Sequence, residues 1–575
     1  MMRLWRFSLL IVVVIFTTRL NGQALSQKSY NLQFADQALA LETLPNGHLM
    51  VAGSTKSTPS GQNSIVLSRL NSAGDVMWTK TVSTGTNAIP ADMIKTQDGN
   101  LLIVYNNIGS SVGFSTSGWL KVTTDGNVLW AKKSINNAFL TKISPAANGG
   151  FFLSGQNITG GSVFTGMTVR LDAQGVIQWS TVFGESGSSA VHDTWEDPQG
   201  FVHCCGQTAE TGGDLNAFWA KLALDGTLIG AVKWFGSSQD DAFTRISSAE
   251  NNRLLLSGWT EGFTSGAYDG VFTVSVDYDG NLKSAFTYHL EETNLTVHDM
   301  ETLPGNQFVL ALGSRTGSIS PAILLKINGA GDQLFSYQYK SGGETDVFQQ
   351  IKSTSTGLAS VGLNAFNGDQ NFYLVTTDLD GKFDNEDCCP MQVDLTRQEV
   401  SPEKDAFVPT QTAFFAAQST SLSTANATST ALDICRSFEL DFTISKDTIC
   451  RGECVEIIDE TITPGVNYTY EIQGGEVNPD SMGQVCHSNG GVLFITRRGV
   501  VGGCDKTLTK AISLGSKADD FPNAFTPNGD DANDVFQPVF GCPALSMNLK
   551  IFNRWGKLVF NSNDTLTGWD GKSEG

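Results

Sequence analysis

Met167-Thr168-Val169-Arg170-Leu171-Asp172-Ala173-Gln174-Gly175-Val176-Ile177-Gln178-Trp179 alternates apolar and polar residues up to Leu171, breaks at a glycine turn, and reaches an aromatic four residues later. Period-two alternation marks a half-buried strand, and glycine supplies the positive φ of a tight turn. The phrase returns seven times, with marker turns at Ala73-Gly74-Asp75, Asp125-Gly126, Gln174-Gly175, Asp225-Gly226, Asp279-Gly280, Ala330-Gly331-Asp332 and Asp380-Gly381. Glycine-to-glycine steps of 52, 49, 51, 54, 51 and 50 residues give a period near fifty, which belongs to propellers and arrays.

Each unit holds three further strands' worth of pattern. It opens on a strand whose central apolar residue is Leu41, Met93, Ile143, Trp195, Ile246, Met300 or Ile351. A nearly continuous apolar run follows, at 49–53, 151–155, 201–206, 254–258, 308–313 and 358–362, ending in glycine, with Tyr105 in the glycine place of unit two. Such runs read as strands buried on both faces, as the middle strands of stacked blades are. The aromatic after the turn is Trp78, Trp130, Trp179 or Phe335; units four and five lack it at that offset, with Trp234 and Phe286 nearby. Unit seven lacks a fourth strand, while 29–34 resembles a fourth strand with no unit ahead of it. The expected fold is therefore all-β: a seven-bladed β-propeller over 25–393, its ring closed by the N-terminal strand.

The chain has 575 residues, sixty of them glycine, only 17% charged, with a formal charge of −21. That balance excludes a phosphate-tracking surface, so no nucleic-acid partner is expected. Arg3 and Arg6, an apolar stretch over 7–16 and small polar residues to Ala24 have the order of a signal peptide, 1–24. No later stretch is long and apolar enough for a transmembrane helix, and no Cys precedes Cys204, which excludes a lipid-modified Cys after the signal.

The channel wall is read from the residues before each first-strand marker: Ala40, Asp92, Lys142, Thr194, Arg245, Asp299 and Gln350, with His192, Asp193 and His298 close by. Mixed signs on different blades read as an ion-paired wall. No catalytic, cofactor-binding or metal residue is assigned, because no base, orienter and electrophile share a motif. Cys204-Cys205, inside an apolar strand, reads as buried structural thiols.

After Cys388-Cys389 the period is lost. Residues 394–438, rich in Thr, Ser, Ala and Gln, read as a connector that Cys388, Cys389 and Cys435 tie to its neighbours. Residues 439–515 alternate in short runs, as a small immunoglobulin-like β-sandwich does. Its four cysteines allow three pairings; position favours Cys454 with Cys486 and Cys450 with Cys504.

Three resemblances follow. The units are similar to a repeat of secreted bacterial propeller proteins, most clearly at Phe235-Gly236-Ser237-Ser238, Asp241-Ala242-Phe243, 254–260 and Asp269-Gly270. Residues 447–455 with Val485-Cys486 resemble PKD-like modules of bacterial surface proteins. Residues 519–575 resemble the gliding-motility-associated C-terminal domain, a type B sorting domain of the type IX secretion system. The motif residues are Phe521, Pro522, Asn523, Ala524, Phe525, Thr526, Pro527, Asn528, Gly529, Asp530, Asn533, Asp534 and Phe536, then Phe552, Asn553, Arg554, Trp555 and Gly556, then Trp569, Asp570 and Gly571. That family's β-sandwich continues beyond the last block, so the domain here is expected to be partial. Asp530, Asp531, Asn533 and Asp534 read first as turn residues, so no cofactor is expected; the alternative is a Ca²⁺ loop, against which stands the lack of one-three-five ligand spacing.

The resemblance implies the type IX machinery as a partner and export through the periplasm to the outer surface or the medium. The expected function is non-enzymatic binding or adhesion toward a surface glycan or protein, with the propeller as platform. The alternative is an extracellular polysaccharide hydrolase or lyase with its site in the channel.

Overall fold

The computed structural model describes residues 25–572 apart from short internal stretches, the longest being 315–320, 384–389, 403–409, 460–466 and 478–483. The signal segment 1–24 and Cys388, Cys389 and Cys435 lie outside the described residues. The chain forms two compact units, 1–436 and 437–575. Among the described residues no helix is long and apolar enough to cross a membrane.

The first unit is a β-propeller. Among the described residues, strand pairing gives seven four-stranded antiparallel sets, or blades, two of them joined because Val128–Pro145 is the outer strand of blade 2 and the inner strand of blade 3. Successive inner strands touch, and the last, Thr345–Ser353, meets the first, Phe34–Thr43. Ser26–Asn31 pairs with Asp369–Thr377, so the chain's first strand completes the last blade. Buried apolar clusters fill the blade junctions; one combines Leu41, Val51 and Val66 of blade 1 with Val361 and Leu374 of blade 7.

The recurring turn and aromatic have a packing role. Trp78 lies on Gly126, Trp130 on Gly175, Trp179 on Gly226, Phe286 on Gly331 and Phe335 on Gly381, so each blade's aromatic covers the next blade's marker turn. At the closure Tyr30 of the N-terminal strand donates its hydroxyl to the Gly74 carbonyl. Blade 4 departs because its outer strand is cut to Lys233–Phe235; Trp219 of its third strand covers Gly280 instead. Gly280 has φ +73, and a Cβ there would stand 2.2 Å from the Trp219 ring. Gly280→Ala should therefore lose roughly 2–4 kcal/mol in chemical denaturation, combining left-handed backbone strain with overpacking. Gly305→Ala, also at positive φ but in open space, keeps only the first cost. Equal losses would remove the packing role from the signature.

Residues 391–434 are more than a connector. They circle the propeller against chain order, adding an edge strand blade by blade: Met391–Gln392 on blade 6, Thr396–Glu399 on blade 5, Thr410–Gln411 on blade 3, Ala417–Thr420 on blade 2, Ser423–Ala427 on blade 1 and Thr430–Asp433 on the closing strand of blade 7. At blade 4 the Gly236 amide donates to the Pro402 carbonyl, 2.8 Å. Outer strands present unpaired N–H and C=O groups, and this belt satisfies them. It is anchored between blades by Val393, Leu395, Phe415 and Ile434, all buried, and by Val400 and Leu422.

In the second unit, two four-stranded sheets enclose Phe442, Ile449, Val455, Val485, Leu493, Ile495 and Ile512. Cys454 and Cys486 stand opposite each other on paired strands and are bonded. Cys450 bonds Cys542, across 92 residues, and not Cys504. Register explains the correction. Ile449 pairs with Leu514 at one end of Cys504–Leu514, while Cys504 begins the other end. Those ten steps of strand span roughly 33 Å, far beyond disulfide reach.

Candidate functional site

The inner strands carry the channel wall, and all seven share one irregularity. Each has a one-residue bulge at the same register, at Leu39, Ala91, Thr141, His192, Thr244, His298 and Gln349. A bulge re-aims its side chain, and these seven are all partly accessible, each following a buried residue. They line a funnel of about 550 Å³ at the end of the ring where the second strands finish.

The residue after each bulge lines the channel in six blades, as Asp92, Lys142, Asp193, Arg245, Asp299 and Gln350, while in blade 1 it is Ala40, buried in the apolar cluster between blades 1 and 2. This corrects the sequence register in blade 4 by one place. Thr194, not Trp195, occupies the apolar marker position there, and Asp193, not Thr194, is the channel residue. Alternation alone could not place a bulge whose strand reads His192-Asp193-Thr194-Trp195.

These side chains form a plug across the channel. Lys142 Nζ lies 3.0 Å from Asp299 Oδ1 and 3.5 Å from Asp92 Oδ2, and Arg245 Nε lies 2.8 Å from Asp299 Oδ1. Gln350 Nε2 donates to Asp92 Oδ1 at 2.8 Å, passing the small Ala40 of the intervening blade. The acceptors also join blades through backbone amides: Ile143 N donates to Asp92 (3.1 Å), Ile246 N to Asp193 (3.3 Å), Ile351 N to Asp299 (3.1 Å) and Leu41 N to Gln350. Beyond the plug a smaller chamber of about 210 Å³ is lined partly by Ser144, Ser247 and Lys352. There Glu42 lies 3.4 Å from Lys352.

The two candidate acids differ. Asp193 accepts from Ser144 Oγ and the Thr194 amide, and burial raises its carboxyl above the usual range despite Lys142 and Arg245. Burial also opposes the charge on Asp299, but Lys142 and Arg245 in direct contact hold its carboxyl well below that range. His192 and His298 do not join them in the plug; both sit in the funnel, displaced outward by the bulge. His298 Nδ1 is 2.7 Å from the Phe348 carbonyl, which can only accept, so Nδ1 carries the proton. Burial lowers both imidazoles, His192 to about 4.

A depressed histidine has a definite pH signature. From its unperturbed value of 6.5 down to about 4, unfolded His192 binds a proton that the folded chain does not. Its contribution to stability falls as pH falls through that window, by up to about 1.4 kcal/mol per pH unit. His192→Gln should flatten the decline in melting temperature between those limits; a parallel curve for both proteins would remove His192 as its source.

Cys204 and Cys205 are buried on opposite faces of one strand, in the clusters at blades 3–4 and 4–5, so they cannot pair with each other. Among the described residues no group of three or more His, Cys, Asp or Glu could hold a metal ion.

At the other end of the chain, the first and third motif blocks converge. Phe536 and Trp569 exchange backbone hydrogen bonds of 2.7 and 2.9 Å. Phe525 packs tilted against both, with ring centroids 5.8 Å from Phe536 and 5.6 Å from Trp569, and Phe521 stacks on Phe536 at 6.1 Å. The Asp534 carboxylate accepts from the amides of Asn528, Gly529 and Asp531, which ties the acidic loop as a turn. Asn553 Oδ1 accepts from the Trp555 and Lys557 amides, turning the hairpin of Leu549–Phe552 and Leu558–Ser562, with Trp555 82% exposed at its tip.

Comparison with known proteins bears on both units. No curated protein matches the chain. Several solved structures are similar to it at remote identity. One is a protein of unknown function from Bacteroides caccae, 13% identical, covering 53% of this chain and 94% of that one, TM-score 0.33. Another is an α-L-arabinofuranosidase from Fusarium graminearum, 10% identical, covering 50% and 92%, TM-score 0.35. A third is an ulvan lyase of a new polysaccharide lyase family, 10% identical, covering 60% and 96%, TM-score 0.37. Residues 520–575 match the family described as the CHU_C type IX secretion signal domain. The end of this chain is a type IX secretion signal domain, and the propeller is carried by that route to the cell surface or beyond it.

Proposed function

We propose that the protein is a non-enzymatic binding protein of the outer surface or medium, with the propeller as its interaction platform. The observation that carries this reading is the plug. Asp92, Asp193 and Asp299 direct carboxylate oxygens to amides of neighbouring blades, and two of them also hold Lys142. Groups fixed in this way join blades, while the funnel above them stays open.

One observation favours the alternative, a polysaccharide hydrolase or lyase. Asp193 and Asp299 are shifted in opposite directions, as acid and base partners are. The two readings separate in one assay: the exported protein is incubated with insoluble polysaccharides and with intact cells, and both retention and released sugars are measured. Retention without new reducing ends or unsaturated uronates supports binding. Product release that is lost in a folded His192→Gln variant would overturn it in favour of an enzyme.

A further inference from the structure

The funnel is amphipathic by blade. On blades 1 to 3 its wall is mainly apolar, with Leu39 and Ala91 at the bulges and Phe139, 37% exposed, and Ile108, 43% exposed, at the mouth, broken by Gln37, Asn106 and the blade 3 bulge residue Thr141. On blades 4 to 7 the bulge positions carry hydrogen-bonding side chains, His192, Thr244, His298 and Gln349. The floor is the plug, in which three carboxylates face two cations, Lys142 and Arg245.

Resting on the binding reading above, we propose that this funnel seats the terminal residues of a neutral glycan. A sugar has one hydroxyl-rich edge and one C–H face, and the two halves of the wall match them. An exposed phenyl ring is a platform for the C–H face. Neutral imidazoles suit the hydroxyls because each offers one donor and one acceptor. In His298 the donor is spent on the Phe348 carbonyl, which leaves Nε2 as an acceptor. His192 stays neutral above about pH 4.

Charge and shape narrow the class further. The excess carboxylate in the floor and the formal charge of −21 both oppose an anionic sugar. Because Lys142, Asp299, Gln350 and Asp92 close the channel, a polymer cannot thread the ring, so a chain end or branch must enter. The cavity, about 550 Å³, lies within the usual size of ligand sites.

The test is calorimetric titration of the exported protein with glucose- and xylose-based oligosaccharides, beside oligogalacturonates of matched length. Binding of a neutral oligosaccharide is expected, weakened about tenfold or more by Phe139→Ala and by His192→Gln. Phe139 is exposed, so that variant should melt with the wild type. Equal binding by wild type and Phe139→Ala would place the seat elsewhere and overturn this inference, while binding by the propeller would stand. Tighter binding of oligogalacturonates would overturn the neutral class. Binding of no oligosaccharide, with polysaccharide or intact cells still retaining the protein, would overturn the end-recognition seat alone; no binding to any of the three would overturn both readings.

Discussion

Asp299→Ala should lower the unfolding free energy of the propeller by about 3–5 kcal/mol, the usual effect of stripping one partner from a buried ion pair. Asp299 is 2% exposed and holds Lys142 of blade 3, Arg245 of blade 5 and the Ile351 amide of blade 7. Its removal leaves two partly buried cations without their shared carboxylate and one amide without an acceptor, and all three sit on different blades. The loss should appear as one cooperative shift in chemical denaturation, because the broken bonds cross the ring and do not belong to one blade. Asp299→Asn, which keeps an acceptor for the amide but not the charge, should recover part of it. A loss below about 1 kcal/mol would show that water replaces the carboxylate and that the plug does not tie the blades. The same experiment bears on function: activity lost in Asp299→Ala cannot assign catalysis unless the variant is shown to be folded.

Phe415→Ala should cost about 3–5 kcal/mol, the range for deleting a buried phenyl ring. Phe415 enters the junction of blades 2 and 3, stacked on Trp119 at 6.3 Å. The next residue is bonded in both directions, Ala416 N to Asn136 Oδ1 at 3.0 Å and Ile135 N to the Ala416 carbonyl at 3.1 Å. Loosening this anchor should also uncover the edge of blade 2, so limited proteolysis within 415–427 should accelerate. Ser421→Ala, at an exposed belt position, should stay within about 0.5 kcal/mol of the wild type. Equal stability and equal proteolysis for both variants would mean that the belt hangs on the ring without bracing it.

The belt also shows why some of the fold was not legible. Its strands are two to five residues long and mostly exposed, so they lack the alternation that marks a half-buried strand. What they do have is an apolar anchor seven residues apart, Val393 to Val400 and Phe415 to Leu422, matching one step from blade to blade. That spacing is neither helical nor strand-like, and its meaning depends on a ring already being present. The candidate site divides the same way. Charged channel residues could be named from their position before the apolar markers, but the pairing of Lys142 with Asp299 joins positions 157 residues apart. The bulges that send His192 and His298 outward and Asp193 inward arise from strand pairing, and in blade 4 they shift the register by one.

By itself the sequence determined the repeat and the strand content, which rest on local chemistry: glycine in a left-handed turn and an aromatic at fixed offset. The export domain was legible as a family resemblance carried by the motif residues around Phe525, Trp555 and Trp569. Tertiary structure alone decided that 391–434 is a belt, that Cys450 meets Cys542, and that the channel is plugged and amphipathic. Each of these depends on edge hydrogen bonds, strand register or charges brought together from distant blades, and such contacts acquire their energy only once the ring has closed.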